Sequence, residues 1–364
     1  MTGITNIQSQ VVNISEYERH AQQSLDPKIW SYFSGAAGDE ITQRKNSEAW
    51  SEISLQPTIL SNLVGSNTRI RIFGRTLSHP IMVAPFAFQK LLHPQGEVAC
   101  AYAAAVLEAG FIVSDQSSID PLAIAKAFLQ EVDRGPLWHQ LYWTQSREEM
   151  IVRLNAIESA GYEAIVLTVD APVYGARDRE RRAGFKLPPE FNGATPVNSS
   201  LSLEALLAQA PSWSDVAWLA QQTQLPLLLK GVTHPRDALR ATEVGCAGII
   251  VSNHGGRVLD TTIATAIALP RIKKEVGDSI QILVDGGIRR GTDVLKAIAL
   301  GADAVLIGKP IAMALGCAGP QGVAHVIRLL WDELKLAMAL SGCRTLQTIP
   351  VDLVVTHPHS STHQ

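Results

Sequence analysis

The chain has 364 residues, 46% hydrophobic and 18% charged, a balance that suits a globular fold with a large core. Its formal net charge of −3 leaves no basic footprint for nucleic acid, and no apolar run approaches the roughly 18 residues of a membrane span. Four widely spaced cysteines (Cys100, Cys246, Cys317, Cys343) form no CxxC pair, which argues against a zinc or disulfide framework and for a reducing compartment. With no charged n-region ahead of an apolar stretch, a cytoplasmic location is expected.

In chain order, residues 1 to about 75 read as a helical segment, carried by "VNISEYERHAQQSL" and "DPKIWSYFSGAAGDEITQRKNSEAW". Short apolar or β-branched runs then recur: "PIMVAP" (80–85), "GFIVSD" (110–115), "LWHQLYW" (137–143) and "EAIVLTVD" (163–170). Four more follow, "LPLLLKG" (225–231), "AGIIVSN" (247–253), "QILVDGG" (281–287) and "DAVLIGKP" (303–310). Most are apolar without alternation, the pattern of parallel strands buried on both faces. Helix-like stretches lie between them, at 96–110, 146–161 and 234–245, several ending in glycine. Eight such units predict one α/β domain over 1–364, a (β/α)8 TIM barrel with an N-terminal helical extension. Residues 188–215, rich in Pro, Ser, Gly and Asn, form a long loop after the fourth strand, expected to be a mobile lid.

Active sites of this architecture lie at the C-terminal ends of the strands. Those ends carry Pro85-Phe86-Ala87, Ser114, Gln140 with Tyr142, Thr168 with Asp170, and Lys230. The later ends carry Ser252 to Arg257, Asp285 to Arg289, and Gly308-Lys309. So many polar groups on one face are hard to explain by packing. In "LVDGGIRRGTDVLKAIALGADAVLIGKP", glycines stand where strands turn into helices, with Arg289 beside them. Bare backbone N–H groups at helix starts suit a phosphate-bearing ligand, although glycines serving tight turns read the same way. Neither GxGxxG nor a Walker loop is present, and no cluster suggests a metal site.

With "YFSGAAGDE", "SNHGGR" and "VDGGIRRGTDVLKAIALGAD" in hand, the chain resembles the FMN-dependent L-2-hydroxy acid oxidising family, which includes glycolate, lactate and 4-hydroxymandelate oxidases and mandelate dehydrogenase. The resemblance runs over almost the whole chain. It implies that Asp285, Gly286, Gly287, Arg289, Gly308 and Lys309 hold the FMN phosphate and ribityl chain. It places Ser114, Gln140, Thr168 and Ser252 at the flavin edge and the backbone of Phe86 and Ala87 near its N5. Lys230 is implied near N1 and the C2 carbonyl, where a cation stabilises reduced flavin.

For the substrate, the resemblance implies Arg257 and Arg177 as the carboxylate clamp, both able to bind in a bidentate manner. His254 is implied as the base for the hydroxyl proton and Asp170 as its orienting carboxylate. Tyr32 and Tyr142 are implied partners of the substrate carboxylate and hydroxyl. Read without the family, Asp170 also serves as a turn cap before Pro172. Arg177 then belongs to a basic run whose Arg179, Arg181 and Arg182 read as a solvated face. Tyr32 rests on the resemblance alone.

Several positions depart from the commonest family pattern. Val258 replaces a glutamine after "SNHGGR", Lys309 an arginine, Gln116 a tryptophan, Tyr174 a leucine, and Phe86 a smaller residue. The last three move the open question to the substrate side chain, since "AFQKLLHPQGE" and "QLYW" resemble 4-hydroxymandelate oxidases. Ala87 near N5 suggests an oxidase using O2, while a dehydrogenase with another acceptor or a silent flavin-binding barrel remain alternatives. The family also implies a homo-oligomer, a tetramer or octamer.

Overall fold

The computed structural model describes residues 10–144, 146–191, 202–350 and 352–356. Eight parallel strands close a barrel: β1 (Ile81–Val83), β2 (Gly110–Ser114), β3 (Leu137–Leu141), β4 (Ala164–Thr168), β5 (Leu227–Val232), β6 (Gly248–Val251), β7 (Gln281–Asp285) and β8 (Ala304–Ile307). Closure is by β8 against β1, with Leu306 opposite Met82. Six strands (β1, β2, β3, β4, β6 and β8) are buried at every position, because mostly aliphatic side chains face both the barrel interior and the surrounding helices. The predicted runs are longer than the strands by one to four residues, mainly at the C-terminal ends. Those extra residues leave the ladder and turn over the barrel mouth.

One strand is irregular where it matters. The β5–β6 register shifts between Lys230 and Val232, and Gly231 in that bulge has φ +112°. A bulge re-aims the flanking side chains, here Lys230 at the end of its strand.

The N-terminal segment is helical only in part. Helices span Ile14–Ser24, Pro27–Ser34 and Ile41–Glu52. The first is capped by the Asn13 side chain, the second by Asp26 with Pro27 in its first turn. After them, Ile53–Leu55 pairs antiparallel with Val354–Thr356, and Ile70–Ile72 pairs with Arg75–Leu77 as a hairpin. This corrects the expectation of helix to residue 75: "IRIFGRTL" alternates with period two around a Phe-Gly turn. The hairpin covers the opposite end of the barrel from the site. There Phe73 packs on Trp138, and Arg75 and Arg134 both bind Glu163, just ahead of β4.

The 188–215 segment is not all loop. Residues 192–201 lie outside the described residues, but a 3-10 turn spans Pro189–Phe191 and helices span Leu203–Leu207 and Trp213–Ala220. At the C-terminal side, Lys309–Leu340 is helical apart from a break at Ala318 and Gly319, just before Pro320, which cannot donate a backbone N–H. By length and composition this helix could cross a membrane, yet 67% of its most apolar window is buried inside the fold. All four cysteines are buried free thiols.

Candidate active site

A cavity of about 700 Å³ opens at the C-terminal ends of the strands, a size that suits a cofactor together with a small ligand. The turn after β6 shapes its floor. His254, Gly255 and Gly256 have φ of +56°, +61° and +77° in succession. Glycine adopts this left-handed region freely, whereas a histidine there costs roughly 1–3 kcal/mol. Gly256 is also required sterically, since a Cβ would stand 2.8 Å from the Gln43 nitrogen.

The strained turn presents the imidazole to Asp170, with Nδ1 3.1 Å from Oδ1. Nε2 is left as the nitrogen available to a ligand, since His254 lines the cavity. Burial opposes ionisation of Asp170, but the His254 imidazole and the Lys230 ammonium outweigh it and hold its pKa below the usual carboxylate range. Asp170 stands behind His254 and does not line the cavity. Its place depends on the bulge, because a Cβ on Gly231 would lie 2.4 Å from Asp170 Cβ. Gly231→Ala is therefore expected to destabilise the fold by about 2 kcal/mol through strain and overpacking. It should also displace Asp170, so thermal unfolding and substrate turnover should fall together.

Lys230 Nζ lies 3.2 Å from Asp285 Oδ2 and donates to Ser252 Oγ at 3.0 Å. Burial disfavours the ammonium, but Asp285 and Asp170 more than compensate and raise its pKa. Two expectations change here. Ser252 is fully buried and lies outside the cavity lining, where its hydroxyl serves Lys230 and the His254 N–H instead of a ligand. Asp285 lines the cavity but spends one carboxylate oxygen on Lys230, because a lysine this deeply buried needs a counter-charge.

At the other side of the cavity, the Arg257 guanidinium sits over the Tyr32 ring, 5.2 Å from its centroid. Its Nη1 donates to Tyr32 O at 2.7 Å and Gly35 O at 2.8 Å. Burial and the neighbouring Arg177 lower the Arg257 pKa to about 10, and it forms no ion pair among the described residues. Arg177 reaches Glu180 at 3.4 Å and donates Nε to Arg257 O at 3.3 Å. Two adjacent guanidiniums that share a single carboxylate, Glu180 on Arg177, make an anion site. Burial and the nearby Asp170 push the Tyr142 pKa well up, so its hydroxyl stays a donor. Burial likewise raises Tyr32, which stacks on Phe185. Arg179, although its side chain is 40% exposed, also pairs with Glu40 and donates to Ser34 Oγ.

The far end is built from glycines. Gly286 and Gly287 have φ of +91° and +84°, and a Cβ on Gly287 would stand 2.2 Å from Asn46 O. They line this end with Gly308, which directly precedes the helix Lys309–Leu340, whereas the N–H groups of Arg289, Arg290 and Gly291 at the other helix start are taken by Asp293 and Glu333. Arg289 also lines it, paired with Glu18 at 3.2 Å. Between the two ends lie Phe86, Ala87, Ser114, Gln140 and Thr168. Ser114 Oγ and the Asp115 N–H both donate to Gln140 Oε1, which leaves Gln140 Nε2 buried with no partner.

The sequence reading missed three groups. Helix Ile41–Glu52 supplies Gln43, Asn46 and Ser47 to the cavity, and Asn46 exchanges two amide hydrogen bonds of 2.8 Å with Asn253. Asp115, buried against Arg153, accepts the Tyr142 N–H at 3.2 Å. Leu206 and Pro211, from within the 188–215 segment, complete the outer wall.

Residues 21–356 match the FMN-dependent dehydrogenase family. The chain belongs to that family. It is 41% identical to an L-lactate oxidase of Nostoc sp. over 358 residues, 94% of this chain and 97% of that protein. A glycolate oxidase of Spinacia oleracea is 40% identical over 356 residues, 93% and 94% of the two chains. Among solved structures, a mandelate oxidase superposes with a TM-score of 0.86 at 37% identity, covering 95% of this chain and 98% of that one. FMN is the family's cofactor, and the residues present fit it. The unpartnered Gln140 Nε2 offers a donor to a flavin carbonyl, and Gly286, Gly287, Gly308 and Arg289 line the end that suits a phosphate. Lys230 brings the cation that a reduced flavin ring needs.

Proposed function

We propose that this FMN enzyme oxidises an (S)-2-hydroxy acid to the 2-oxo acid and that O2 is the final acceptor, leaving as H2O2. The single observation that carries the reading is the His254–Asp170 pair facing Arg257 and Arg177 across one cavity. Converting R–CH(OH)–COO⁻ to R–CO–COO⁻ removes two electrons and two hydrogens, one of them the hydroxyl proton. FMN, when bound, supplies the two-electron acceptor. The chain supplies the rest. Arg257 and Arg177 hold the carboxylate, Tyr142 hydrogen-bonds the hydroxyl, and His254 Nε2 takes its proton. Asp170 stabilises the resulting imidazolium, and Lys230 stabilises negative charge at the cofactor end.

The side-chain wall combines Phe86, Trp143, Val258 and Leu206 with Gln116, whose amide donates to the Tyr174 hydroxyl at 3.4 Å. This width and apolar character favour lactate and larger, aromatic acids over glycolate. The same reading includes a cytoplasmic homo-oligomer, a tetramer or octamer, with exposed Leu60, Val64 and Leu340 as apolar surface for contact. The test is a panel of L-2-hydroxy acids assayed for O2 uptake and H2O2. One H2O2 per 2-oxo acid formed, fastest with a larger acid, is the expected result. Turnover that needs an added acceptor and leaves O2 untouched would make the protein a dehydrogenase.

A further inference from the structure

Asp115 stands outside the lining of the cavity, so its bonds join protein to protein whatever the cavity holds. It directly follows β2, where the ladder ends with Ser114 opposite Gln140. Just beyond that point Tyr142 leaves β3, and its backbone N–H donates to Asp115 Oδ2 at 3.2 Å. The other carboxylate oxygen, Oδ1, accepts from Arg153 Nη2 and lies 3.9 Å from His139 Nε2. The Asp115 N–H in turn donates to Gln140 Oε1 at 3.3 Å. One residue thus ties together the ends of two strands and, through Arg153, the helix Arg147–Ser159 that follows them.

Stability alone does not call for this arrangement. The Asp115 side chain is 5% exposed and that of Arg153 23%. Taking such a pair out of water costs much of what its attraction gives, and apolar packing often serves as well. Burial opposes ionisation of Asp115, but His139 and Arg153 outweigh it and hold its pKa below the usual carboxylate range. What a carboxylate offers here is two acceptor oxygens, one for the guanidinium and one for the Tyr142 N–H. The Tyr142 side chain lines the cavity. A tyrosine has only two side-chain torsions, so the place of its backbone largely decides the place of its hydroxyl.

We propose that Asp115 is a positioning residue for substrate oxidation: with Arg153 as its counter-charge, it fixes the backbone of Tyr142 and so the aim of the Tyr142 hydroxyl. The proposal rests on the oxidase reading for what that hydroxyl contacts. Arg257 and Arg177 are anchored on other loops, at Tyr32 O, Gly35 O and Glu180. The aim of Tyr142 and the hold on a carboxylate should therefore separate.

The test uses Asp115→Ala and Asp115→Ala/Arg153→Leu in the full, FMN-loaded chain, each with Tyr142 intact and with Tyr142→Phe. Flavin reduction is followed anaerobically with whichever of L-lactate, glycolate and L-mandelate reduces the wild type fastest. Its limiting rate is expected to fall about tenfold in both Asp115 variants. Oxalate affinity, read from the bound flavin's visible spectrum, should change about twofold or less. In the Tyr142→Phe background the same changes should slow reduction by no more than about twofold, because the hydroxyl they aim is gone. Removing both charges should restore thermal stability without restoring the rate. An unchanged rate in Asp115→Ala overturns the proposal, as does a loss of similar size in Tyr142→Phe or a rate that recovers together with stability. Should none of the three acids reduce the wild-type flavin, the oxidase reading fails instead, and hydrogen exchange at residues 141–143 decides the clamp alone. Faster exchange in Asp115→Ala supports the clamp, and unchanged exchange overturns it. The pair variant leaves neither charge unpaired and so guards against an Asp115→Ala protein that does not fold.

Discussion

Replacing His254 by glutamine is expected to slow substrate oxidation by roughly 10³-fold while leaving FMN bound. Glutamine can hydrogen-bond Asp170 but cannot take a proton near neutral pH, so binding and base catalysis separate. Rapid mixing of FMN-loaded variant with substrate under anaerobic conditions measures the step directly. The substrate concentration for half-maximal rate should change far less than the limiting rate, because Arg257 and Arg177 remain. A limiting rate within about tenfold of wild type would remove His254 from the role of base.

The second large effect is expected at Lys230. Lys230→Met strands the Asp285 carboxylate, which is 8% exposed, and deprives Asp170 of a cation. Breaking a buried pair by removing one member costs about 3–5 kcal/mol, whereas removing both is far milder. Thermal unfolding should therefore drop sharply in Lys230→Met and recover in Lys230→Met/Asp285→Leu, with the flavin harder to reduce in both. The pH dependence follows from the directions of the shifts. Lys230 is raised, so its contribution is complete below the ordinary lysine value and is lost as pH rises through the higher folded one. Asp170 is lowered, so its contribution holds above the ordinary carboxylate value and is lost as pH falls through the lower folded one. Across neutral pH both stay charged, and the penalty of Lys230→Met should be flat there. A penalty that disappears at neutral pH would mean the pair is not ionised in the folded protein.

Much of this was legible in the sequence because parallel strands must be apolar on both faces and because "SNHGGR" joins a histidine to glycines that only a left-handed turn demands. The barrel and its strand order follow from the first fact and the His254 turn from the second, while the cofactor and substrate residues followed from the family resemblance, Tyr32 from it alone. What stayed hidden was long-range. Asn46, Gln43 and Lys309 meet only because helix Ile41–Glu52 and the Tyr32–Gly35 turn fold back over the barrel mouth, more than 200 residues from their partners. No local pattern encodes that return. Gly231 stood in the sequence only as the last residue of a strand run, and its function, making room for Asp170 from another strand, depends on a bulge that periodicity does not report. The roles of Ser252 and Asp285 shifted for a related reason. A buried lysine recruits the nearest hydroxyl and carboxylate, and which groups are nearest is a property of the closed barrel. Residues 70–77 were misread because a short hairpin next to three helices was absorbed into their segment.

The most direct measurement is anaerobic addition of L-lactate, glycolate and L-mandelate to the purified, FMN-loaded protein while its visible flavin absorbance is followed. At least one of these acids is expected to bleach the oxidised flavin stoichiometrically, with the matching 2-oxo acid formed and colour restored when O2 is admitted. A flavin that stays oxidised with all three, in protein whose His254, Arg257 and Lys230 are intact, would contradict the assignment of this cavity as a 2-hydroxy acid oxidising site.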